Sequence, residues 1–150
     1  MLLHRKETVM KIKNDTFISI LSSHITTVPE QGGILGEKDG KIVAYYHDKD
    51  ASICSSHAEY FPNIANLNSK IREWAKDGIA FIGMIHSHPK DEYTLSDSDM
   101  LYIKKVFESY KVGDTLYFPV IIPGGIIIPY AVTKQEVGLS VVQEEIDIYI

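Results

Sequence analysis

Apolar residues return at helical spacing in three stretches of the chain. Phe17, Ile18, Leu21, Ile25 and Val28 predict a helix over residues 14–28, with Asn14 or Asp15 as its cap. Ile64, Leu67, Ile71 and Trp74 fall on one face of a helix over 64–77, which Asn63 can cap and Gly78 can end. Met100, Ile103, Val106, Phe107 and Tyr110 predict a third helix over 96–110. Between them lie strand-like runs. Residues 33–36 and 41–46 are joined across Glu37-Lys38-Asp39-Gly40, whose Asp-Gly pair signals a hairpin. The apolar run 79–85 predicts a buried strand, and 116–122 and 126–133 flank Pro123-Gly124-Gly125, another hairpin signal. A last strand is expected through Val141 and Val142 or over 146–150. Helices and strands alternate, so the expected fold class is α/β, a mixed central sheet flanked by helices.

Composition narrows the function. A chain of 150 residues without repeats or linker-like stretches reads as a single domain, 1–150, with a core large enough to need no staples. Twenty acidic residues against 15 Lys and Arg give a net charge of −5, with no basic cluster, which argues against nucleic acid as a partner. The single cysteine, Cys54, excludes an internal disulfide framework and a Cys-rich zinc site. The first residues lack a secretory signal, and Met10 is an alternative start. The longest apolar stretch, 116–132, is cut by three prolines and two glycines and is too short to span a bilayer. The expectation is a soluble, cytoplasmic protein with no membrane partner.

The candidate chemistry sits in Ile85-His86-Ser87-His88-Pro89, followed by Ser96-Asp97-Ser98-Asp99. Two histidines two apart at a strand's end point to one face, with Cα atoms about 6.5–7 Å apart. Their imidazoles can reach one ion at about 2.0–2.1 Å. Asp99, in the first turn of the next helix, is the natural third ligand. Two neutral His and one carboxylate leave a fourth position for water, the pattern of a catalytic zinc. Each residue also has an ordinary explanation: strand histidines are common, and Ser96-x-x-Asp99 is a capping box. The whole spacing, HxHx7SxxD, arises by chance about once in a thousand chains of this length and composition. A cap and a ligand are compatible roles for the same carboxylate.

These residues resemble the signature of the JAB/MPN/JAMM metalloproteases. That family's remaining element, an upstream Glu before a Gly-rich apolar strand, is matched by Pro29-Glu30-Gln31-Gly32-Gly33-Ile34-Leu35-Gly36. The resemblance runs from about Lys11 to Thr133 and departs at Leu95, where many members have Pro; residues after about Gln135 have no counterpart. It implies a three-layer, cytidine-deaminase-like fold, with Zn²⁺ held by His86, His88 and Asp99. Glu30 would be the general base and acid, and Ser96 would hydrogen-bond the oxyanion. The implied reaction is hydrolysis of an amide bond after the C-terminal tail of a ubiquitin-like or sulfur-carrier protein, or in a peptide. An extra strand added at a sheet edge could capture such a tail, with residues 41–46 or the loop 47–61 as candidate edges. Ser87 points to the opposite face and is read as structural; Asp91 and Glu92 lie on a loop that fixes no geometry. His24, His47 and His57 are read as surface or core-edge residues.

Two other classes compete. Some members of this superfamily have lost the metal and act as interaction scaffolds, usually with one or more of the five motif positions missing; all five are present here. Other HxH metalloenzymes fit less well. The HxHxDH pattern of metallo-β-lactamase-like hydrolases fails at Lys90, and amidohydrolase barrels need a far longer chain. A two-His-one-carboxylate iron site has the right ligand types.

Overall fold

The computed structural model describes residues 9–23, 30–49, 52–53 and 60–150. Two turns of the chain show how the local sequence sets the elements. Asp39 and Gly40 take φ of 55° and 77°, so β2 (Gly32–Lys38) and β3 (Lys41–His47) join through a two-residue turn that suits their twist. The Asn63 side chain accepts from the N–H of Asn66 and opens α2 (Ile64–Lys76), and Gly78 at φ 73° follows its end. The strand β6 (Ala80–Ser87) comes next. Helix α3 (Asp97–Phe107) stops three residues before the apolar spacing does. There Lys134 Nζ donates to the carbonyls of Phe107 at 3.0 Å and Tyr110 at 2.5 Å, an ammonium closing a helix C-terminus.

Helix α1 (Asn14–Ser23) begins where expected; residues 24–28 of the expected helix lie outside the described residues. A strand precedes it that the apolar spacing did not announce, β1 (Val9–Lys13), with Met10 and Ile12 buried. Residues 116–122 and 126–133 do not form two continuous strands. Proline lacks the N–H a ladder needs, and Pro119 and Pro129 split the region into four. These are β7 (Thr115–Tyr117), β8 (Val120–Ile122), β9 (Ile126–Ile128) and β10 (Tyr130–Lys134). Only β8 and β9 make the hairpin around Gly124-Gly125, while β7 pairs with β10. Both candidates for the last strand form, as β11 (Leu139–Gln143) and β12 (Glu145–Tyr149).

The main sheet runs β11-β10-β7-β6-β2-β3-β1-β12, with β8 beside β6 and β9 beside β8. It is mixed: β6 pairs antiparallel with β2 and parallel with β7 and β8. Only Glu144 separates β11 from β12, yet they end opposite edges of that order. One residue spans no more than about 3.6 Å, so the sheet must curl until its edges approach. β1 pairs with β3 at Ile12 and Ile42, so the start of the 41–46 segment is covered and is not the free edge that the sequence suggested. In the loop 47–61, β4 (Ser52–Ile53) and β5 (Tyr60–Phe61) pair as a separate small sheet; residues 50–51 and 54–59 lie outside the described residues.

Helices cover both faces. Ile34 and Met84 pack with Leu67 and Trp74 of α2 and Ile103 and Phe107 of α3. Leu35 and Ile85 pack on the other face with Ile20 of α1. A bulge between Leu35 and Gly36 resets the alternation of β6. Gly83, at φ 154°, lies so close to β7 that a Cβ would fall 1.7 Å from the Tyr117 carbonyl oxygen. From this point Met84 and His86 share the face of α2 and α3, whereas Ile85 and Ser87 face α1. Among the described residues no helix is long and apolar enough to cross a membrane.

Candidate metal centre

His86 is the last residue but one of β6, and His88 follows one step beyond its end. Alternation turns both imidazoles to the same face, where they meet edge to face at 75° with centroids 4.5 Å apart. The N-terminus of α3 lies opposite. Ser96 caps it with a complete capping box: Ser96 Oγ accepts from Asp99 N–H at 3.1 Å, and Asp99 Oδ2 accepts from Ser96 N–H at 2.8 Å. The box fixes the Asp99 rotamer and turns the carboxylate towards the histidines. Asp99 Oδ1 lies 3.1 Å from His86 Nε2, Asp99 Oδ2 lies 3.0 Å from His88 Nε2, and the two Nε2 atoms are 2.7 Å apart.

That triangle fits a cation better than it fits hydrogen bonds. His88 Nδ1 lies 3.0 Å from the Glu92 carbonyl oxygen, which can only accept, so the ring's proton belongs on Nδ1. A neutral His88 then offers its Nε2 lone pair towards a carboxylate oxygen, which is also an electron-pair donor. Such a cluster is relieved by a proton or by a metal ion. Donors 2.0–2.1 Å from a tetrahedral zinc are about 3.3 Å apart, and all three ligand atoms here lie within 4.8 Å of one another. The group His86-His88-Asp99 can therefore hold a metal ion.

Electrostatics give the same picture without metal. Burial by itself would raise the Asp99 carboxyl, but hydrogen bonds from His86, His88 and the Ser96 N–H hold it far below the usual carboxylate range. Burial by itself would lower His88, which is 2% exposed, but its bond to Asp99 and that residue's charge raise it above its ordinary value. A divalent cation would replace the imidazolium as the partner of Asp99.

The centre opens into a cleft of about 530 Å³. Glu30 and Ser96 line it beside the three candidate ligands. Glu30 is half-buried, and its charge acts on His88. Its position follows from the sheet. Gly32 faces His86 across the β2–β6 ladder, so Glu30, two residues earlier, falls on the same face while Gly32 adds no side chain there. Ser96 Oγ takes the Asp99 N–H with its lone pair, and among the described residues its proton meets no acceptor.

The five residues thus come together in one place. The sequence did not reveal what holds them. Glu92 matters through its main-chain carbonyl, which orients His88. Tyr130 Oη donates to the Tyr93 carbonyl at 2.6 Å and pins the same loop. Apolar cleft walls come from Ile64, the first residue of α2, and Leu101, in the middle of α3, both more than half exposed. Asp91 is exposed and accepts from Tyr93 Oη. His47 stacks on Tyr45 away from the centre; His24, Cys54 and His57 lie outside the described residues.

No protein-family model matches the chain, and no curated protein sequence does. Solved structures do match. One is the solution structure of a protein from Desulfitobacterium hafniense, 18% identical, with 93% of this chain and 92% of that one covered at a TM-score of 0.64. Another is the crystal structure of a JAB1/MPN domain protein from Archaeoglobus fulgidus, 17% identical, with 91% and 98% covered at a TM-score of 0.51. At such identities the likeness establishes architecture alone, a curled mixed sheet flanked by helices in an MPN-like fold; the His-His-Asp group able to hold a metal ion is read from this chain's own geometry.

Proposed function

We propose that the chain is a zinc-dependent peptidase or isopeptidase, a single cytoplasmic domain that hydrolyses an amide bond. The observation that carries this reading is the convergence of the His86, His88 and Asp99 donor atoms in a cleft that Glu30 and Ser96 also line. The helices on both faces of the sheet also support the three-layer, deaminase-like description of the fold. Bound by the three ligands, Zn²⁺ would act as a Lewis acid and bring a water's pKa towards about 7.

The protein's own groups do the rest. The Glu30 carboxylate takes the proton of the attacking water and hands it to the leaving nitrogen, which departs as an amine. The Ser96 hydroxyl donates to the oxygen of the scissile carbonyl as negative charge develops there. The capping box keeps that hydroxyl in place, because its lone pair is committed to the Asp99 N–H. The substrate is the C-terminal tail of a ubiquitin-like or sulfur-carrier protein joined through an amide bond, an assignment supported by the sequence resemblance and the MPN-like fold.

The test is cleavage of fusions to such proteins, with and without chelator. Glu30→Gln is expected to keep the metal and lose roughly 10²–10⁴-fold in turnover, the usual worth of a proton-transfer group. His88→Ala is expected to lose both. Turnover of Glu30→Gln at the wild-type rate would remove the assigned base. A wild-type protein that neither binds metal nor cleaves any fusion would leave the scaffold reading.

A further inference from the structure

The residue between the two histidines makes an exchange that the ladder alone would not. Gln31 and Ser87 face each other one step beyond the Gly32–His86 pair. Facing residues of this kind normally exchange two main-chain bonds. Here Ser87 N–H donates to the Gln31 carbonyl at 2.7 Å. The return bond, from Gln31 N–H, goes to the Ser87 hydroxyl oxygen at 2.8 Å, and the hydroxyl proton reaches back to the Gln31 carbonyl at 3.3 Å. One residue later, His88 N–H already donates to Ile121 of β8 at 2.9 Å. His86 and His88 turn their N–H groups to the β8 edge, so Ser87 is where β6 makes its last bond on the β2 edge. The Ser87 side chain thus holds the chain next to Glu30, and at 3% exposure water has little access to replace it.

We propose that Ser87 is a positioning residue for Glu30: its hydroxyl clamps both polar groups of the Gln31 main chain and so fixes the neighbouring carboxylate over the metal centre. This rests on the reading of Glu30 as the proton carrier. Ser87 faces the α1 side of the sheet, away from the cleft, so it acts through Gln31 and not on substrate. Alanine removes the hydroxyl to which the Gln31 N–H donates. Threonine keeps the hydroxyl.

The experiment compares Ser87→Ala, Ser87→Thr, Glu30→Gln and the double variant Ser87→Ala/Glu30→Gln. Ser87→Ala is expected to lower kcat by roughly 10- to 100-fold, the scale of a misplacement of about 1 Å. KM and zinc affinity should stay at wild-type values. Ser87→Thr should restore kcat, and the double variant should be no slower than Glu30→Gln alone, because the two residues act as one unit. Amide exchange of Gln31 should accelerate in Ser87→Ala and not in Ser87→Thr, a readout that needs no turnover. Unchanged kcat, unchanged Gln31 exchange, a parallel fall in zinc affinity, or a further loss in the double variant would each overturn the clamp. If Ser87→Ala fails to fold, Ser87→Cys, with its weaker donor and acceptor, takes its place with the same expected directions. Should the wild type cleave no fusion, the peptidase reading falls, while Gln31 exchange still decides whether the clamp exists.

Discussion

Helices α2 and α3 begin with the same local chemistry, and only one of these beginnings supplies a ligand to the candidate metal centre. In both, the capping side chain accepts from the N–H three residues on, Asn63 from Asn66 at 3.2 Å and Ser96 from Asp99 at 3.1 Å. In both, a carboxylate takes the cap's own N–H at 2.8 Å. For α2 that carboxylate is Asp48, just past the end of β3, buried at 3% exposure and used to tie helix to sheet. For α3 it is Asp99, inside the helix, with both oxygens also near imidazoles. The cap is therefore not what makes a site. A cap becomes one when the facing strand end presents further electron-pair donors, and β6 does so through His86 and His88.

The strongest way to break this comparison is to change each carboxylate in turn. Asp99→Asn keeps an oxygen for the Ser96 N–H but gives up a charged ligand. Four ligands of a structural zinc together contribute about 10–16 kcal/mol, so the loss of one should weaken zinc binding roughly 10²-fold or more, as isothermal titration will show. Asp48→Ala should leave zinc affinity unchanged and lower stability to urea by about 1–3 kcal/mol, the cost of removing the carboxylate that accepts the Asn63 N–H. Equal effects on zinc affinity would mean that the two helix ends do not differ as described.

The same contrast explains what could be read from the sequence. The caps of α2 and α3, the Asp-Gly turn and the HxHx7SxxD spacing are local, and each was visible because neighbouring residues set it. Glu30 was reached only through a family resemblance, since its place beside His86 and His88 depends on a pairing between Gln31 and Ser87 across 56 residues. The role of Ser87 was hidden for the same reason. The strand β1 was missed although Met10 and Ile12 alternate with lysines, because five residues running straight into a helix give too short a pattern. The splits at Pro119 and Pro129 were legible in principle, as each proline denies the ladder a donor. The placement of β11 and β12 on opposite edges was not: only the curl of the whole sheet brings those edges within one residue of each other.

A sharper comparison removes the capping side chains alone. Asn63→Ala and Ser96→Ala should each lower stability by about 0.5–2 kcal/mol, the ordinary worth of an N-cap. Their effects on rate should differ. Ser96→Ala should lower kcat roughly 10²–10³-fold, as for the loss of an oxyanion donor, whereas Asn63→Ala should leave kcat near the wild-type value. Equal kcat values for the two variants would reduce Ser96 to a cap.

The smallest expected effect is a pH dependence confined to the α3 end. In the metal-free protein His88 and Asp99 form an ion pair, His88 raised above its ordinary 6.5 and Asp99 held well below its ordinary 3.8. The raised imidazole contributes stability that is fully present below pH 6.5 and lost as pH rises through the folded value. The depressed carboxyl contributes stability present above pH 3.8 and lost as pH falls through its folded value. The two overlap between those limits. With chelator present, the Tm difference between wild type and Asp99→Asn should therefore be largest from pH 3.8 to 6.5 and shrink at higher pH. Zinc needs the imidazoles neutral, so the Tm gain on adding zinc should run the other way and grow as pH rises through the His88 transition. A wild-type-to-variant difference that stays flat across this range would show that Asp99 serves α3 only as a cap, as Asp48 serves α2.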